Sequence, residues 1–233
     1  MNLKVVVNNR NRLTTTRNMV EHLLRLNPRQ EIVILDNAST YPPLMEWYQS
    51  VNENPERWPT LQIRLLPNLG HLAFWNSNMQ GEVGEYFVYS DSDIELDPEM
   101  PHNWALQMIN LIEKYEINKV GLSIRIDDIP DHYPHKSQVL RDQAGCWKEE
   151  AEPNVFWGDT DTTFCLIRNV GGNPYRSLRV ARKGFKSRHT PFYLDFEDLS
   201  PEELYVLDNH DGRFHTQYTS AHVREKKKTN PHE

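Results

Sequence analysis

A mostly parallel α/β sheet with flanking helices is the fold class this sequence predicts, and three observations carry it. Short runs of β-branched and aromatic residues alternate with segments of helical periodicity across residues 1–125. The runs are apolar at consecutive positions, as in strands covered on both faces. Each early run lies beside a cluster of Asn, Asp, Ser or Gly. Strand, helix, strand, helix at these intervals means βαβ units.

Residues 4–7, Lys-Val-Val-Val, form the first strand. Residues 14–27 follow helical spacing, with Leu13, Val20, Leu23 and Leu24 on one face and Asn27-Pro28 as the stop. Residues 31–35, Glu-Ile-Val-Ile-Leu, are the second strand, and Asp36-Asn-Ala-Ser-Thr40 is a turn. Pro42 or Pro43 opens a helix that runs through Val51. Residues 61–66 are a third strand, 71–80 a helix, and 86–90, Tyr-Phe-Val-Tyr-Ser, a fourth strand. Trp104, Met108, Leu111, Ile112 and Tyr115 mark a helix over 103–116, followed by a strand at 120–124. The second half is less regular. Residues 127–152 read as a long loop with little core, 162–168 as a strand, and 176–188 as a basic loop. Ser200-Pro-Glu-Glu203 is a helix start with a capping box.

The expected organisation is one domain over residues 1–225, with two halves that meet at about 125 and a flexible tail at 226–233. Lys plus Arg total 26 and Asp plus Glu 33, a net charge of −7 that argues against broad nucleic-acid binding. Hydrophobic residues at 38% and charged residues at 25% suit a globular chain. No apolar run reaches the roughly 18–20 residues that cross a bilayer, and the N-terminal apolar stretch is too short for a signal peptide, so the expected location is cytoplasmic. Cys146 and Cys165 form no CxxC pair and read as packing residues.

Open parallel sheets bind ligands beyond the carboxyl ends of their strands, near the switch in strand order. Those ends here carry Asn8-Asn9-Arg10-Asn11-Arg12, Asp36-Asn-Ala-Ser39, and Asp91-Ser-Asp93, with Asn68-Leu-Gly70 near the third strand. Asp91-Ser92-Asp93 is the most informative. Alternation along an extended backbone puts Asp91 and Asp93 on one side, where two carboxylates make a hard oxygen site for Mg2+ or Mn2+ bridging to a diphosphate. The alternative is a polar turn leading to Asp97-Pro98.

These segments, in this order, resemble family 2 glycosyltransferases of the GT-A fold. The resemblance implies a nucleotide-sugar half to about residue 125 and an acceptor half after it, with Asp36 contacting the nucleobase or ribose. It implies that Asn68 and Gly70 line the nucleotide pocket, and that Asp91, Ser92 and Asp93 hold metal and ribose. It places further nucleotide contacts at Asn9 and Arg12, although this chain departs from the Pro-Thr-Tyr-Asn-Arg that family members often carry there. Asp161-Thr-Thr-Phe and His189-Thr-Pro-Phe-Tyr-Leu-Asp are similar to segments of bacterial and large-DNA-virus polysaccharide glycosyltransferases, extending the likeness to about residue 210. From it His189 is implied as a third metal ligand, with His210 and His215 as substitutes, and Asp161 as the base, with Asp159, then Glu197 and Asp198, as alternatives. The processive signature Gln-x-x-Arg-Trp is absent, which favours addition of a single sugar.

Structural alternatives stand beside these roles. Asp36 can close an Asx turn, and Asn68 and Gly70 can simply shape a loop. Trp147 and Trp157 suit either a sugar face or the core. Arg176, Arg179, Arg182, Lys183, Lys186 and Arg188 read as a solvated loop, a lid over the diphosphate, or a peripheral membrane contact. The expected function is a metal-dependent, inverting, non-processive hexosyltransferase. Its donor would be a nucleotide diphosphate-sugar, UDP-linked by preference, and its acceptor a glycan or lipid-linked saccharide. A sugar-1-phosphate nucleotidyltransferase ranks lower, because the first loop has no Gly. A non-catalytic nucleotide-sugar-binding protein is the other rival.

Overall fold

The computed structural model describes residues 3–160, 163–172 and 174–209. Strands β1 (Lys4–Asn9), β2 (Glu31–Asn37), β3 (Leu61–Leu66) and β4 (Tyr86–Asp91) run parallel in the order β3-β2-β1-β4. The chain builds outward from β1 to β3, then returns to the other side of β1 for β4. That reversal is a switch in strand order at the carboxyl ends of β1 and β4, where open sheets of this kind have their ligand crevice.

Consecutive apolar residues serve both faces of this sheet, as the sequence pattern requires. Val5 and Val7 join the large core beneath α1 (Thr14–Leu26) and α2 (Pro42–Glu53), with Met19, Val20, Leu23, Leu44 and Trp47. Val6, Val33 and Leu35 face a second core with Phe74, Phe87 and Tyr89. Each of these aliphatic side chains is buried, and full burial of one stabilises by about 1.5–3 kcal/mol.

The segment 71–80 is less helical than its sequence predicts. Only Ala73–Asn76 (α3) forms a turn of helix, and Asn78, in left-handed backbone at φ 59°, breaks it before a 3-10 turn at Met79–Glu82. Next come the short β5 (Ile94–Glu95), α4 (Trp104–Tyr115) and β6 (Lys119–Ile124).

The second half holds more structure than expected. Residues 127–152 contain α5 (Lys136–Gln143), a 3-10 turn and β7 (Glu149–Glu152). They also contribute Ile129, Tyr133 and Val139 to a third core with Ile124 and Phe192. After β8 (Val155–Trp157), β9 (Cys165–Arg168) inserts antiparallel between β4 and β6. The basic segment is not a loop: it forms β10 (Leu178–Val180), parallel to β6, and β11 (Lys186–His189), which pairs with both β5 and β6. Its sequence, Lys-Ser-Arg-His, has no strand pattern, and only the edges offered by β5 and β6 make it one.

Helix α6 (Pro201–Asp208) begins with the predicted capping box. Ser200 Oγ accepts from Glu203 N at 3.2 Å, and the Glu203 carboxylate accepts from Ser200 N at 2.7 Å. Glu202 then caps a different helix: its carboxylate accepts from Thr14 N at 3.0 Å and Thr14 Oγ1 at 2.9 Å, at the start of α1. Tyr205 donates to the Thr40 carbonyl at 2.9 Å and packs on Tyr41. Helix α6 is thereby fastened to the loops that follow β1 and β2.

Candidate active site

Two hydrogen-bond chains tie the strand ends together, and their end groups fix their direction. In the first, Leu69 N can only donate, so Asn37 Oδ1 accepts from it at 2.9 Å. Asn37 Nδ2 therefore donates to Asn8 Oδ1, and Asn8 Nδ2 passes on to the Gly70 carbonyl at 3.4 Å. In the second, the Asp36 carboxylate is the terminal acceptor. It takes the Tyr48 hydroxyl proton at 2.9 Å through Oδ2 and Ser39 N at 2.8 Å through Oδ1. Tyr48 then accepts from Asn9 Nδ2 at 2.8 Å. Asn9 Oδ1 is left buried with no hydrogen-bond partner. Burial, and after it the neighbouring Asp36 charge, push the Tyr48 phenol far above its ordinary range, so its proton stays in place.

The loops above are equally constrained. Asn11 and Ala38 both sit in left-handed backbone, at φ 57° and 56°. Asn11 N donates to Ser39 Oγ at 2.8 Å, and its Oδ1 accepts from Thr40 N at 2.7 Å. These bonds over-determine a conformation that costs free energy in isolation.

The Asp-x-Asp segment departs from the predicted geometry. Strand β4 ends at Asp91, and Ser92 and Asp93 form a turn before β5. The alternation that would aim both carboxylates one way stops at Asp91. Asp93 instead meets a residue from the far end of the chain. Antiparallel pairing sets His189 opposite Ile94, and Thr190 N and Oγ1 both donate to the Asp93 carbonyl, at 2.9 and 3.1 Å. His189 Nε2 then lies 3.5 Å from Asp93 Oδ1, and Arg12 Nη2 lies 3.8 Å from Asp93 Oδ2. Burial opposes ionisation of Asp93, but His189 and Arg12 outweigh it and hold the carboxyl below its ordinary range.

Asp93 Oδ1 and His189 Nδ1 are buried without hydrogen-bond partners. The other ring nitrogen, His189 Nε2, is the one that faces Asp93 Oδ1, and a carboxylate oxygen opposite an imidazole nitrogen suits a cation such as Mn2+. Asp91 does not join them: among the described residues no three His, Cys, Asp or Glu side chains converge on one point. A turn replaces the extended backbone, and of the three predicted ligands the fold brings Asp93 and His189 together.

The other predicted residues fall as follows. Asp36 lies at the end of β2 as expected, but it is 1% exposed and both oxygens accept protein donors. Its bond to Ser39 N closes the turn after β2 three residues on. Asn9 is fully buried beside it. Ser92 is buried, and its N donates to the Asn8 carbonyl at 3.1 Å. Asn68 Oδ1 accepts from Gly70 N at 3.2 Å. Gly70, at φ 80°, has open space where a Cβ would project. Asp159 is exposed. Asp161, His210 and His215 lie outside the described residues; Thr163 Oγ1 donates to the Thr160 carbonyl at 2.6 Å. Glu197 and Asp198 are exposed just before α6.

The cations of the basic segment pair or pack within the fold. Arg176 covers the Trp157 ring at 4.4 Å, and Arg179 is buried and donates to Gln143 Oε1 at 2.7 Å. Arg182 pairs with Glu152, Lys183 with Glu99, Lys186 with Asp127, and Arg188 with Asp128 and Glu95. Trp157 is packed between Arg176 and Tyr115, and Trp147 lies against Phe156. Tyr48 escaped the sequence reading because it sits on the core face of α2, where an aromatic looks like packing alone.

Strand order, the switch between β1 and β4, and antiparallel β9 define a GT-A glycosyltransferase fold. Comparison with solved structures agrees. GalNAc-T7, crystallised with UDP, GalNAc and Mn2+, superposes with a TM-score of 0.52 at 13% identity, over 81% of this chain and 44% of that one. Residues 1–349 of S. aureus TarS give a TM-score of 0.50 at 14% identity, over 83% of this chain and 62% of that one. This chain thus spans less than two thirds of either. No family model matches, and no curated protein matches in sequence. Among the described residues no helix is long and apolar enough to cross a membrane.

Proposed function

We propose that this chain is a metal-dependent glycosyltransferase that moves one sugar from a nucleotide diphosphate-sugar to a glycan or lipid-linked acceptor, with inversion. One observation carries the reading: Asp93 and His189 are brought together just past the carboxyl end of β4, beside the switch point where open sheets of this kind bind ligands. Asp93 and His189 would hold the cation, and Mn2+ or Mg2+ bound there would supply charge stabilisation to the departing diphosphate.

The remaining roles belong to the chain's own residues. Asp91 and Ser92 edge the crevice on the ribose side. Asp36, Tyr48 and Asn9 form the rigid wall at the base end, with Asp36 acting through Tyr48 and Ser39. The open space at Gly70 lets a ligand approach the backbone. Asp161 takes the proton from the acceptor hydroxyl as that oxygen attacks the anomeric carbon, and Asp159 is the alternative base.

A panel of nucleotide sugars incubated with Mn2+, with and without saccharide acceptors, tests the reading. Metal-dependent release of nucleoside diphosphate with transfer to an acceptor is expected. Asp161→Asn should lower transfer by about 10²–10⁴-fold with donor affinity kept. Release of pyrophosphate from a nucleoside triphosphate and a sugar phosphate would make the chain a nucleotidyltransferase. Donor binding without turnover would make it a binding protein.

A further inference from the structure

Arg12 is held where a simple phosphate contact would not be. Its guanidinium pairs with Asp93, the carboxylate assigned above to the cation, and the two side chains are only 10% and 12% exposed. Screening by water is weak at such a pair. The backbone cannot relax it: Thr190 pins Asp93 through its carbonyl, and the Arg12 carbonyl accepts from Thr16 Oγ1 at 2.7 Å inside the first turn of α1. With His189 on Oδ1 and Arg12 near Oδ2, both oxygens of one carboxylate already face nitrogen cations or potential cations.

We propose that Arg12 and the divalent cation compete for Asp93, and that Arg12 transfers from Asp93 to the donor's diphosphate when cation and donor bind together. The inference rests on the glycosyltransferase reading and assigns Arg12 a role within it. A divalent ion beside Asp93 places two positive charges next to the guanidinium, and like charges at this range repel. The guanidinium must then turn from the carboxylate toward an anion. A diphosphate supplies one, and the planar fork of Arg matches its oxygens. Charge balances at each stage: Arg12 neutralises Asp93 first, then the cation takes Asp93 while Arg12 meets the phosphates. The exchange makes metal and donor bind cooperatively, because metal without the anion strands the guanidinium.

The test is calorimetric titration of Mn2+ alone, then of uridine diphosphate with Mn2+ present, into the full chain and its Arg12→Gln and Arg12→Lys variants. With Arg12→Gln, Mn2+ alone should bind roughly tenfold tighter, since one repelling unit charge is gone. Uridine diphosphate should bind at least tenfold weaker in the same variant, through loss of a charge-assisted contact. Arg12→Lys keeps the charge and should leave Mn2+ affinity near that of the parent. If Gln unfolds the chain, Arg12→Met, which keeps the buried stem, repeats the measurement. Mn2+ binding that is unchanged or weaker in the neutral variants overturns the proposal, as does failure of parent and neutral variants alike to bind Mn2+. A parent chain that binds Mn2+ but no nucleoside diphosphate sinks the glycosyltransferase reading instead, whatever Arg12 does to the metal.

Discussion

Replacing Tyr48 by Phe removes one oxygen and breaks two buried hydrogen bonds. The hydroxyl donates to Asp36 Oδ2 at 2.9 Å and accepts from Asn9 Nδ2 at 2.8 Å. Asn9 is 0% exposed and Asp36 1%, so water cannot replace the lost partner without opening the loops above. A bond to a neutral amide contributes about 1 kcal/mol and one to a charged group about 1.5–3, which together predict a loss of about 3 kcal/mol. For a chain of this size that lowers Tm by roughly 6–12 °C. The phenol stays protonated through the neutral range, so the loss should not vary between about pH 6 and 9. Urea denaturation should show a lower midpoint with an unchanged slope, and nucleoside diphosphate affinity should fall as the wall at the base end loosens. A loss below about 1 kcal/mol would refute the chain of bonds from Asn9 through Tyr48 to Asp36.

Three further outcomes are expected. A Cβ at Gly121 would lie 2.7 Å from Thr160 Cβ and 3.0 Å from Cys165 Sγ. Gly121→Ala should therefore destabilise by about 1–3 kcal/mol and, by displacing Thr160, the sequence neighbour of Asp161, lower transfer; denaturation and an activity assay read the two effects. Glu202→Ala removes the carboxylate that caps α1 and should destabilise by about 1 kcal/mol, with faster amide exchange at Thr14 as the specific readout. Asp128 accepts from the Tyr193 hydroxyl at 2.5 Å and Arg188 Nη2 at 2.6 Å. Burial raises its pKa, but Tyr193, Arg188 and Arg125 together lower it. Its stabilising effect is thus present above the unfolded carboxyl's pKa of about 4 and lost as pH falls through the lower folded value. The Tm gap between parent and Asp128→Asn should be open at about pH 6 and closed at about pH 2.

The parallel half of the sheet was legible because its information is local. Val5, Val6 and Val7 are apolar in succession because both faces of the strand are covered, and that shows without any partner in view. The capping box at Ser200 and Glu203 is equally local: both bonds form within one turn. The polar strand ends were visible too, since βαβ connections must leave the sheet at those points. Pairing is another matter. Lys186–His189 carries no strand pattern, and it becomes β11 only because β5 and β6 present free backbone edges to it. That pairing brings His189 to Asp93, and the turn at Ser92 and Asp93 ends the alternation that the sequence pattern implies. Cations concentrated in residues 176–188 look like a basic patch until the fold sets Glu152, Glu99, Asp127 and Asp128 beside them. The sequence by itself determined which segments bury both faces and where polar groups leave the sheet, because periodicity and capping act over a few residues. Only the tertiary structure decided which of those groups meet, because backbone pairing and charge compensation depend on edges and side chains distant in the chain.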